Sequence, residues 1–64
     1  MSDLLDKLKW KVREVDLVHL SLLRFEASLP GGSTTRDVAH DAANRVGLAL
    51  AALLSELHRM EGYV

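Results

Sequence analysis

From Leu4 onward the chain repeats apolar residues at helical intervals. Leu4, Leu8, Val15, Val18, Leu22 and Phe25 recur at heptad spacing, with Lys11 at the one polar register position. That spacing predicts an amphipathic helix. Leu5, Val12 and Leu23 lie about 100° round the helix and form a second apolar strip. Leu17 and Leu20 widen the apolar surface, so the stretch from Val15 to Phe25 is expected to contact more than one neighbour. Ser2 is suited to cap this helix, and Asp3 and Asp6 favour its first turn. Leu29-Pro30-Gly31-Gly32-Ser33 is the clear break: proline disfavours helix before it, the glycines permit positive φ, and Ser33 or Thr34 can cap the next helix. A second pattern then runs through Ala39, Ala42, Val46, Ala49, Leu53, Leu57, Met60 and Val64. Gly47 is its only internal breaker, costing about 1 kcal/mol against alanine inside a helix.

Length sharpens this picture. Sixty-four residues make one small domain, and a domain of that size buries only about 60% of its unfolded surface. Disulfides, metals or partner subunits usually make up the deficit. The chain has no cysteine, which removes disulfides, cysteine-based zinc sites and a thiol nucleophile together. A hydrophobic content of 48% is far from that of a disordered chain. Its apolar mass is leucine, valine and alanine, which favours an all-α fold. The segment MSDLLDKLKW reads as neither signal peptide nor membrane span, which points to the cytoplasm and to no membrane partner. A net charge of −1 gives no global pull toward nucleic acid.

Within the second pattern, Ala43-Asn44-Arg45-Val46-Gly47-Leu48, followed by Leu53, Leu57 and Met60, resembles the core of a helix-turn-helix. The wider layout is similar to a winged-helix domain, with Gly62-Tyr63-Val64 resembling the start of the wing. The resemblance covers most of the chain. It implies a turn at Gly47 with positive φ, helices at Val18–Phe25 and Thr35–Ala43, and a recognition helix at Ala49–Met60. It further implies a small DNA-binding regulator acting as a dimer on double-stranded DNA. Arg36, Asn44, Arg45, Ser55, His58 and Arg59 would contact DNA, and Lys7, Lys9 and Lys11 would meet phosphates. Residues 1–15 would be a helical extension or dimer arm on a core of 16–64.

If Gly47 stays helical, the chain is two long helices joined by PGGS. That layout resembles the Rop-type hairpin, which pairs into an antiparallel four-helix bundle. Either arrangement leaves apolar stripes to cover, so a homodimer is expected, with Leu4, Leu8, Val12, Val15, Leu53, Leu57 and Met60 at its interface. A protein partner on the same apolar faces is the other occupant to consider. Function would then be structural or that of an interaction module.

Little else suggests chemistry. Asp37, His40 and Asp41 share a helical face, and His58 and Glu61 repeat the i, i+3 relation. A solvated face with a local charge pair explains both better than a metal site. Asp16, His19 and Ser21 cannot converge from one helix as a catalytic triad, and His19 fits the boundary of the apolar face. Trp10 among lysines fits a tryptophan laid over the edge of a small core, with lysine stems alongside. No enzyme activity, cofactor or metal is expected. The expected molecule is all-α, with a long first helix, a PGGS turn and a second segment bent or broken near Gly47.

Overall fold

A computed structural model describes residues 2–62; the wing start expected at Tyr63 and Val64 and the side-chain cap expected of Ser2 lie outside what it describes. Two helices make up the fold: α1, Ser2–Ser28, and α2, Thr34–Gly62. They form a helical hairpin 47 Å long.

The expected break near Gly47 is absent. Helix α2 continues through Arg45, Val46 and Gly47, and Gly32 is the glycine with positive φ, at 83°. Positive φ is needed where the chain reverses between helices, and that reversal is at PGGS. Helix α1 runs unbroken across residues 15 and 16. Leu5, Leu8 and Val12 are half-covered, and Val12 lines a groove with Leu50 and Leu54 of α2.

The turn is built from short-range hydrogen bonds. Leu29 N donates to Glu26 O and Ser33 N to Pro30 O. Ser33 Oγ accepts the Arg36 amide at 3.1 Å, the hydrogen bond of an N-cap. Arg36 Nη1 donates to Leu29 O at 3.1 Å, tying the start of α2 to the end of α1.

Each helix brings an unbroken 3–4 alternation to the other. On α1 the seam is Leu5, Leu8, Val12, Val15, His19, Leu22 and Glu26, continued by Leu29 just past its end; on α2 it is Arg36, Ala39, Ala43, Val46, Leu50, Leu53, Leu57 and Met60. Such a repeat keeps one stripe facing its partner along the whole contact. Even so, only Ala39, Ala43 and Leu50 are buried among the described residues. The remaining seam side chains are half-covered.

Candidate functional site

The hairpin seam is flanked on both sides, and the two flanks differ in chemistry. The first carries Leu4, Lys11, Val18 and Phe25 of α1 beside Thr35, Ala42, Ala49 and Glu56 of α2. Because the helices run antiparallel, Phe25 lies level with Ala42, Val18 with Ala49, and Lys11 with Glu56. A shallow groove here is lined by Val15, Val18, Val46 and Ala49, with Glu14. Val18 and Phe25 remain 52% and 48% exposed.

The second flank carries Lys9, Asp16 and Leu23 beside His40, Gly47, Leu54 and Glu61. Its groove is more polar, adding Lys9, Arg13 and Asp16 to Val12, Leu50 and Leu54. Among the described residues, the two polar side-chain contacts that cross between helices are both here. Lys9 Nζ meets Glu61 Oε2 at 3.4 Å, and His40 Nδ1 meets Glu26 Oε2 at 3.0 Å. The other oxygen of Glu26 is buried without a partner. Near the middle, Gly47 makes room for a histidine. A Cβ built on it would sit 3.2 Å from His19 Nε2.

The residues expected to meet DNA are dispersed. Asn44, Arg45, Ser55, His58 and Arg59 share the exposed outer side of α2. Arg36 is instead a half-buried clamp on the turn. Lys7 and Lys11, four residues apart, share one side of α1, and Lys9 lies on another. Most of these cations already have carboxylate partners: Lys7 with Asp3, Lys9 with Glu61, Lys11 with Glu14, Arg45 with Asp41 and Arg59 with Glu56. Hydrogen bonding to Arg59 holds the Glu56 carboxyl below its usual range, and the same bond raises the guanidinium.

Of the residues expected at a dimer interface, Leu8, Val12, Val15, Leu53, Leu57 and Met60 form the seam within one chain, where they stay half-covered, and Leu4 stands exposed on the first flank. His40 and Asp41 do not converge on a common ligand position. His40 turns to Glu26 across the hairpin, while Asp41 pairs with Arg45 one turn on. Among the described residues no three metal-binding side chains gather at one point, and no helix is long and apolar enough to cross a membrane.

Two features escaped the sequence pattern. Leu50 is in the core, although the repeat placed Ala49 there. The Glu26–His40 contact joins residues 14 apart across the turn, which no local spacing reveals. Comparison with protein-family models, curated proteins and solved structures yields no match.

Proposed function

We propose that the chain is a non-enzymatic, homo-oligomeric helical-hairpin module whose business is its apolar surface. One observation carries the reading: three described residues form the buried core while ten large apolar side chains stand exposed. The accessible surface is 4963 Å², against roughly 4,100 Å² for a compact monomer of this mass. The radius of gyration, 14.8 Å, likewise exceeds the roughly 11 Å of a compact domain of this length. The excess is close to the roughly 800 Å² that each partner contributes to a standard protein interface. Pairing would extend the thin seam into a four-helix core.

Sequence-specific DNA binding gets less support. Helix α2 supplies no turn at Gly47, and the candidate cations are mostly paired. Sedimentation equilibrium at micromolar concentration tests the module reading, with a dimer expected. A folded monomer would overturn it. Binding of a labelled duplex that falls steeply with salt would restore the DNA reading.

A further inference from the structure

We infer that the second copy seats on the first flank, in a two-fold dimer whose PGGS turns lie at the same end. This rests on the homo-oligomeric reading and specifies its geometry.

The two flanks offer a partner different surfaces. A docking face should hold apolar area at its centre and few charges that must lose water. The second flank already spends its polar groups within the hairpin, on Lys9–Glu61 and Glu26–His40. Lys9, Arg13 and Asp16 also line its groove. The first flank has an apolar centre, and the ion pairs bordering it, Lys11–Glu14 and Glu56–Arg59, stay within single helices. The repeat supports the same face. Leu8, Val15 and Leu22 belong to the seam stripe, yet with Leu4, Val18 and Phe25 they form a second heptad stripe. Helix α2 repeats this with Ala39, Val46 and Ala49. A helix with two overlapping stripes has two neighbours to pack against, as in a four-helix bundle.

Side-chain size and charge set the end-to-end orientation. On this flank α1 presents large residues, Val18 and Phe25, while α2 presents Ala42 and Ala49. Large against small is the complementary fit, so α1 of one copy belongs beside α2 of the other. With both turns at one end, Phe25 meets the partner's Ala42, Val18 meets the partner's Ala49, and Lys11 meets the partner's Glu56. Two-fold symmetry repeats each layer. Turning one copy end for end on the same flank sets α1 beside the partner's α1 instead, so Val18 meets the partner's Val18, Phe25 meets the partner's Lys11 and Ala42 meets the partner's Glu56. That arrangement desolvates charges beside apolar groups without a counter-charge.

The chain lacks cysteine, so single-site labelling is direct. Gly31→Cys and Thr34→Cys place spin labels at the turn. Gly31 has no positive φ, and its added Cβ would make ordinary contact with Arg36. Pulsed dipolar spectroscopy on the dimer is expected to give inter-label distances of about 30 Å or less, given helix spacings of about 8–10 Å. Distances near the 47 Å length of the molecule would overturn the same-end arrangement while leaving the dimer intact. Val18→Glu is expected to weaken self-association roughly tenfold or more, and Leu20→Glu, on the opposite side of α1, to leave it unchanged. The reverse pair of results would move the interface off this flank. A wild-type monomer in sedimentation would remove both the orientation and the module reading.

Discussion

The two halves of the hairpin seam solve packing differently. Near the turn, small residues Ala39, Ala43 and Val46 face His19, Leu22 and Glu26. Toward the open end, Leu50, Leu53, Leu57 and Met60 face Leu5, Leu8, Val12 and Val15. The larger apolar side chains are in the open half, yet the turn half is better covered. Ala43 and Ala39 are 2% and 4% exposed, and in the open half only Leu50, at 9%, is buried. Small side chains let two helices approach until each shields the other. Large ones hold the axes apart, and one partner helix cannot wrap them. The turn half is therefore specified by shape and by polar contacts such as Arg36 to Leu29 O. The open half depends on apolar area, and most of its seam side chains stay only half-covered.

Core substitutions should break this comparison most visibly. Leu50→Ala removes the one well-buried large side chain and should cost about 2–5 kcal/mol. Ala43→Leu should cost about 1–3 kcal/mol by forcing the close approach apart, whereas Leu57→Met in the open half should stay below about 1.5 kcal/mol. Denaturant unfolding at one fixed protein concentration measures all three, so that self-association weighs equally on each. If Ala43→Leu were as mild as Leu57→Met, the turn half would not be shape-limited.

The same contrast explains how much was legible in the sequence. The all-α class, both helices and the PGGS reversal come from local chemistry: apolar period, proline, glycine and the Ser33 cap. The heptad stripe through Leu4, Val18 and Phe25 is a real apolar face of α1, but it is the one the hairpin leaves open. A helix with two overlapping stripes does not declare which of them its own partner helix takes. That depends on the pairing of α1 with α2, and such pairing is set by the turn and by cross-helix contacts such as Glu26–His40. Gly47 misled for a related reason. A lone glycine in a helical run signals either backbone freedom or missing bulk, and only the opposing His19 shows that here it is bulk. Arg36 looked like a free cation because its acceptor, Leu29 O, is a main-chain atom across a turn.

Gly47 also gives a smaller and sharper test at the junction of the two halves. Glycine to alanine within a helix gains about 1 kcal/mol. Here the new methyl would meet the far end of the His19 ring at 3.2 Å, so the ring must shift slightly and some of the gain is lost. Gly47→Ala should thus stabilise the wild type by less than it stabilises the His19→Ala variant. Thermal melts of the four proteins form a double-mutant cycle, and neighbours in contact should show a nonzero coupling. Equal gains in both backgrounds would mean that Gly47 is not there for the histidine.

The smallest expected effect is at the open end, where Glu56, on the border of the first flank, and Arg59 are paired one turn apart on α2. Hydrogen bonding to Arg59 lowers the Glu56 pKa in the folded state. A lowered folded value means the pair's contribution is fully present above the unfolded carboxylate pKa and is lost as pH falls through the folded one. Both groups are exposed, so solvent and salt screen the pair and its effect on melting should be slight. The informative measurement is therefore site-resolved: NMR titration of the Glu56 side-chain carboxyl carbon. Arg59→Ala should raise the Glu56 midpoint, and added salt should shift the wild-type midpoint in the same direction. An unchanged midpoint in Arg59→Ala would show that the pair does not persist in solution. The charged border of the first flank would then be free to pair with a second copy without first breaking a bond within α2.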